Sequence, residues 1–177
     1  MIEPFAIWVT GLPASGKSTL AAAIRNELAR IGVDIAVLES DELRRVLTPR
    51  PRYDEEERET FYSAMLHIGL ILLRHGIPVL FDATANLRRY RDRARELIPR
   101  FIEVYVECPI EVCAARDPKG LYRKAREGKV DTLPGLQASF EPPLQPDVVV
   151  RGDLENPQSA AKRVLTLLGA QNAPSVF

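Results

Sequence analysis

Nine residues near the start limit what this chain can fold into: Gly11-Leu12-Pro13-Ala14-Ser15-Gly16-Lys17-Ser18-Thr19. They match G-x-x-x-x-G-K-[ST], the phosphate-binding P-loop. The motif needs a strand before it and a helix after it. The apolar, β-favouring run Ala6 to Thr10 supplies the first, and the helix formers Leu20 to Leu28 supply the second. The two glycines let successive N–H groups turn inward on an anion, and the helix N-terminus adds its positive end. On this reading Gly11 to Thr19 bind ATP, Lys17 reaches the β- and γ-phosphates, and Ser18 places a hydroxyl on Mg²⁺.

The rest of the chain alternates strands and helices. Ile35 to Leu38, Pro78 to Asp82, Phe101 to Val106 and Val148 to Val150 read as further strands. Between them fall helices from Glu42 to Leu47, from Asp54 to about Arg74, from Arg88 to Leu97, from Pro109 to Ala115 and from Asn156 to Leu168. Ala170 to Phe177 reads as a tail. The alternation predicts an α/β fold, a five-stranded parallel sheet with helices on both faces. Ligands then gather at the carboxyl ends of the strands. A length of 177 residues, without repeats or a composition break, suits one domain spanning 1–177.

The polar residues that follow these strands are the candidates for chemistry. Asp41, after strand 2, either accepts a proton from a substrate hydroxyl or caps the next helix. Glu39 stands beside it. Arg44 and Arg45 lie one turn on, as anion grips or as a solvated helix face. Asp82 ends strand 3, where P-loop proteins keep an acid for Mg²⁺. Thr84 and Asn86 follow it, with side chains suited to water or phosphate contacts or to a structural turn. Arg88, Arg89, Arg91, Arg93 and Arg95 form a basic helix, read mainly as a solvated face. Arg116, Lys119, Arg123, Lys124 and Arg126 suit a mobile lid over about 116–146 that closes on phosphates and excludes water.

Lys plus Arg equals Asp plus Glu, at 24 each. That neutrality argues against a nucleic-acid or membrane-surface partner. Two cysteines, Cys108 and Cys113, make neither a disulfide framework nor a metal cluster, and a reducing cytoplasm fits. No signal peptide is evident.

Four stretches resemble the adenylyl-sulfate kinase family. They are Phe101 to Val106; Pro109 to Cys113; Arg116-Asp117-Pro118-Lys119-Gly120-Leu121-Tyr122 and on to Arg126; and Gly135-Leu136 through Phe140-Glu141-Pro142-Pro143 to Val149. The P-loop fits as well. The resemblance implies a P-loop kinase fold and transfer of the γ-phosphate of ATP to the 3′-hydroxyl of adenosine 5′-phosphosulfate, a step in sulfate assimilation. It implies Asp41 as the catalytic acidic residue, Arg44 as a substrate-binding arginine, and Lys119, Leu136 and Phe140 as substrate contacts, with Phe140 stacking on the adenine. It implies Arg116 in the lid, and a homodimer. Three places depart from the family's pattern. Glu39-Ser40-Asp41 stands for Asp-Gly-Asp, Phe61-Tyr62-Ser63-Ala64 for Asn-Ile-Arg-Arg, and Thr84-Ala85-Asn86 for Ile-Ser-Pro. The second removes an arginine, which Arg45, Arg50 or Arg52 could replace. The third looks more like P-loop kinases of polynucleotide ends or other hydroxyls. A nucleotide-binding switch without transfer activity is a further alternative, although no Asn-Lys-x-Asp base-reading motif is present.

Overall fold

The computed structural model describes residues 3–171. Five parallel strands form one sheet, β1 (Ala6–Gly11), β2 (Ala36–Glu39), β3 (Val79–Asp82), β4 (Phe101–Glu107) and β5 (Val148–Arg151), in the order β2-β3-β1-β4-β5. Among the described residues seven helices accompany them: α1 (Lys17–Arg30), α2 (Ser40–Leu47), α3 (Glu55–Arg74), α4 (Arg88–Leu97), α5 (Ile110–Arg116) and α6 (Leu121–Arg126) between strands, and α7 (Pro157–Gln171) after β5. The expected sheet and its alternation are present. The expected tail falls mostly outside the described residues, and α7 runs on to Gln171.

The central strand β1 is buried along its whole length, as a strand covered on both faces must be. Its alternate side chains feed two cores. Ile7 and Val9 join Leu20, Ile24 and Leu28 of α1 and Val164 and Leu168 of α7. Ala6 and Trp8 join Phe61, Met65 and Leu66 of α3 and Tyr90 and Ala94 of α4. Trp8 stacks on Phe81 with ring centroids 4.6 Å apart, and its Nε1 donates to Ala83 O at 3.2 Å. Thr10 Oγ1 donates to Thr84 O at 2.6 Å. These bonds fasten the segment leaving β3 to the strand that leads into the P-loop, so the two loops share one frame.

Two local readings change. Helix α2 begins at Ser40, and its N-cap is Glu39, in extended conformation and without a side-chain cap bond. Asp41 therefore lies inside the first turn, where a carboxylate favours the helix dipole without capping it. The charged stretch after Arg116 contains a helix, α6, whose Tyr122 and Ala125 are buried. Leu121-Tyr122-x-x-Ala125 has helical apolar spacing, a signal that the surrounding charges obscured. Among the described residues no helix is long and apolar enough to cross a membrane.

Candidate functional site

The P-loop wraps the start of α1. A Cβ on Gly11 would stand 2.5 Å from Val106 O and 2.8 Å from Ser15 Oγ, so only glycine fits where β1 turns into the loop. Lys17 Nζ donates to Leu12 O at 2.8 Å, folded back across the loop. Burial lowers its pKa, and the charges of Asp82 and Asp41 act against that. The lysine is thus a partly desolvated cation facing two carboxylates, placed to be drawn onto an anion.

Pro13, Ala14, Gly16, Lys17, Ser18 and Thr19 line a cleft of about 700 Å³ at the carboxyl ends of the strands. Glu39 at the end of β2, Asp41 in the first turn of α2, Asp82 and Thr84 around the end of β3, and Arg116 and Lys119 line it as well, and the stretch Gly152 to Pro157 closes the far side. Asp82 is almost fully buried. Burial pushes its carboxyl above the usual range, while the Ser18 hydroxyl and the Lys17 charge ease it back. Glu39 is raised as well, first by burial and then by Asp82 and Asp41. Negative charge is crowded here, and Lys119 answers it by pairing with Asp41 through Nζ and Oδ2. Partial burial alone would lower the Lys119 pKa; the Asp41 partner raises it on balance.

The structure thus brings Lys17, Ser18, Asp41, Asp82, Arg116 and Lys119 to one cavity. Arg116 NH2 donates to Gly152 O at 2.9 Å, and NH1 lies 3.5 Å from Ser15 O, so Arg116 ties the loop after β5 to the P-loop. Gly11, Leu12 and Ser15 belong to the loop without lining the cleft. Ser15 Oγ is buried and has no hydrogen-bond partner among the described residues.

Arg44, Leu136 and Phe140 lie away from that lining. Arg44 is 7% exposed, with its guanidinium 3.8 Å above the Phe61 ring and its NH1 3.2 Å from Glu57 Oε1. Phe61, which stands where the family's pattern has asparagine, serves as the platform for this arginine, and Ser63 and Ala64 take the places of the pattern's two arginines. Arg52 pairs with Asp54, and Arg45 and Arg50 are exposed. Leu136 is half exposed, and Phe140 lies beside Tyr105 with centroids 6.2 Å apart.

Several interactions escaped the sequence reading. Arg58 is buried and donates from Nε to Tyr53 O at 2.8 Å, from NH1 to Asn86 Oδ1 at 3.1 Å and from NH2 to Thr132 O at 2.8 Å. Arg91, in the supposedly solvated basic helix, is 1% exposed. Its Nε pairs with Glu103 Oε1 at 2.8 Å, NH2 donates to Glu141 O at 2.6 Å, and NH1 donates to Ala85 O. Arg89 and Arg93 pair with Glu55 and Glu59 of α3. Asn86, offered as a water or phosphate contact, has both ends of its amide taken by protein groups. The segment from 116 to 146 is docked in this structure. Tyr122, Ala125 and Leu133 form a third core with Cys108 and Cys113, against which Leu12 and Ala14 pack, and Tyr122 OH donates to Pro13 O at 2.9 Å. Burial, with the neighbouring Cys108, pushes the Cys113 thiol above its ordinary range.

Comparison with known proteins gives the arrangement a family. The sequence profile described as Adenylylsulphate kinase matches residues 3–151. The probable adenylyl-sulfate kinase of Archaeoglobus fulgidus is 40% identical over 149 residues, 84% of this chain and 96% of that one. The adenylyl-sulfate kinase of Pseudomonas aeruginosa is 38% identical over 168 residues, 94% of this chain and 86% of its own. The Mycobacterium tuberculosis APS kinase, solved in complex with AMPPNP and APS, superposes with a TM-score of 0.88 at 31% identity, covering 96% of this chain and 99% of that one.

Proposed function

The chain belongs to the adenylylsulphate kinase family, and from that premise we propose that it transfers the γ-phosphate of ATP to the 3′-hydroxyl of adenosine 5′-phosphosulfate. The products are 3′-phosphoadenosine 5′-phosphosulfate and ADP. The observation that carries the reading is the meeting of a P-loop lysine with Asp41 and Asp82 in one cleft. Donor phosphates and an acceptor hydroxyl can be served there at the same time.

Phosphoryl transfer asks the protein mainly for positioning and charge stabilisation. The P-loop amides and the α1 N-terminus hold the β- and γ-phosphates. Lys17 leaves Leu12 O for the phosphate oxygens and neutralises charge as it moves from donor to acceptor. Asp41 accepts the hydrogen bond of the attacking 3′-hydroxyl and orients it. Lys119, already paired with Asp41, turns towards the anionic acceptor when it enters. The bonds of Arg116 to Ser15 and Gly152 favour a role at the nucleotide edge of the cleft, where it keeps the loop after β5 in place.

Mg²⁺ fits this cleft. Asp82 is a buried carboxyl at the end of β3 that feels the Lys17 charge, and the Ser18 hydroxyl lies next to it. Magnesium needs only one or two protein oxygens besides phosphates and waters. Ser18 and Asp82 would hold it, and when bound it supplies charge neutralisation across the β- and γ-phosphates. On the acceptor side, the segment 116–146 carries Lys119, Leu136 and Phe140, and we assign it closure over the substrate, with Phe140 against the adenine. Arg44 of α2, buried on its Phe61 platform and paired with Glu57, is the substrate-binding arginine we assign.

Calorimetry tests the acceptor assignment. Titrating adenosine 5′-phosphosulfate into protein saturated with ADP and Mg²⁺ gives binding tighter than millimolar if the reading holds. Absence of binding, with turnover of ATP by another hydroxyl compound, rejects it.

A further inference from the structure

The segment that bears Leu136 and Phe140 has little regular structure of its own. Its hydrogen bonds include an isolated bridge between Pro134 and Ala138 and the amide of Gln137, which donates to Ala125 O and Val130 O. Its position relative to the sheet rests on contacts from elsewhere. On one side it leans on the P-loop. Gly135 has φ +89°, and a Cβ there would stand 2.6 Å from Leu12 Cδ2. On the other side it meets Asn86, four residues beyond the end of β3.

Asn86 is 4% exposed, and both ends of its side chain are used. Oδ1 accepts from Arg58 NH1 at 3.1 Å, and Nδ2 donates to Ser139 O at 3.0 Å. A guanidinium only donates and a carbonyl only accepts, so these partners fix which way the amide points. The backbone O of Asn86 accepts from Glu141 N at 2.7 Å. Arg58 extends the contact by donating to Thr132 O at 2.8 Å. The two residues therefore grip the segment at 132, 139 and 141, on either side of Leu136 and Phe140. The base of the grip is rigid. Ala85, with φ +41°, is held in a left-handed conformation by Tyr62 OH, which accepts from Ala85 N at 3.1 Å, and by Arg91, which donates to Ala85 O.

We propose that Asn86 is a positioning residue for the acceptor subsite, latching the 132–141 segment to the end of β3 through Arg58, Ser139 and Glu141. The latch sets the distance between the acceptor-side wall and the P-loop, because the same segment leans on Leu12. It acts on acceptor binding and leaves the nucleotide alone, since none of its members lines the P-loop cleft. It rests on the kinase reading above, which supplies the acceptor.

The test compares Asn86→Ala and Asn86→Asp with the wild type. The aspartate keeps the bond to Arg58 and loses the one to Ser139, so it remains informative if the alanine variant folds poorly. Losing one buried hydrogen bond that orders a binding segment corresponds to about a tenfold change in affinity. We expect the KM for adenosine 5′-phosphosulfate to rise about tenfold in Asn86→Asp, which loses the Ser139 bond, and by more in Asn86→Ala, which loses the Arg58 bond as well. The KM for ATP stays within about twofold, and amide exchange at 137–141 accelerates. A uniform rise in both KM values with a lower Tm overturns the proposal in favour of a purely structural role. Faster exchange with an unchanged acceptor KM overturns it too, as does unchanged exchange. A wild type that fails to phosphorylate adenosine 5′-phosphosulfate overturns the function itself. An active wild type with an unresponsive Asn86 overturns the latch alone.

Discussion

The two sides of the catalytic cleft are built by different means. The donor side is a continuous stretch of backbone, β1 turning through the P-loop into α1, with two side chains, Lys17 and Ser18, adjacent in sequence. The acceptor side we propose, built on the 132–141 segment, is held in place by side chains outside the cleft lining that reach across the chain. Arg58 meets Asn86 across 28 positions and Thr132 across 74, and Arg91 meets Glu141 across 50. A site made of local backbone tolerates the loss of a side chain structurally and loses chemistry. A site made of long-range bonds loses its shape first. The substitutions below should divide along that line.

The largest expected effect is on the donor side. Lys17→Ala should lower kcat by about 10³-fold, near 4 kcal/mol of transition-state stabilisation. Because burial disfavours the Lys17 charge in the ligand-free protein, Tm should not fall. Single-turnover rates and a melting curve check both halves. The opposite pattern is expected at Arg91→Met. It leaves Glu103 buried without its main partner and releases Ala85 and Glu141. Breaking such a pair costs about 3 kcal/mol or more, a fall in Tm on the order of 10 °C. The P-loop itself should still bind nucleotide below the melting range, as a nucleotide titration would show.

Asp41→Asn comes next and sharpens the comparison, since we assign Asp41, on the short helix α2 beside the P-loop, to the acceptor hydroxyl. We expect kcat to fall about 10²-fold with the ATP dissociation constant nearly unchanged. A variant with normal kcat but lower Tm would make Asp41 a structural residue of α2. The smallest effect is at Asp82. Its carboxyl is raised above the unfolded chain's value, chiefly by burial, so folding favours its protonated form. The stability this confers is full below the ordinary carboxylate range and is lost as pH rises through the raised pKa. Asp82→Asn should therefore melt slightly higher than wild type at neutral pH, with the gain shrinking in acid, while Mg²⁺-dependent nucleotide binding weakens. Melting curves across pH, with and without Mg·ADP, read both.

What could be read from sequence follows the same division. The P-loop, the parallel sheet and the acids after β2 and β3 were legible because each depends on neighbours within a few residues. The basic helix misled. Arg89, Arg91, Arg93 and Arg95 look alike in sequence, yet the first and third pair with α3 on the surface and Arg91 lies in the interior. Only the packing of α4 on the sheet separates them. Arg58 sits inside an acidic run that gives no sign of its burial, and Asn86 shows in sequence only its own hydrogen-bonding ends, not the groups that occupy them. The resemblance from Phe101 onwards named Phe140 and Leu136 but not what holds them, because the Arg58 and Asn86 contacts come from chain far upstream.

The central claim is that one cleft joins a P-loop donor to a nucleotide acceptor. Product analysis tests it most directly: incubate the protein with ATP, Mg²⁺ and adenosine 5′-phosphosulfate, and separate the nucleotides by chromatography and mass. We predict ADP and 3′-phosphoadenosine 5′-phosphosulfate in equal amounts, with both products lost in Lys17→Ala. ADP release that is indifferent to adenosine 5′-phosphosulfate, with no phosphorylated product, would contradict it.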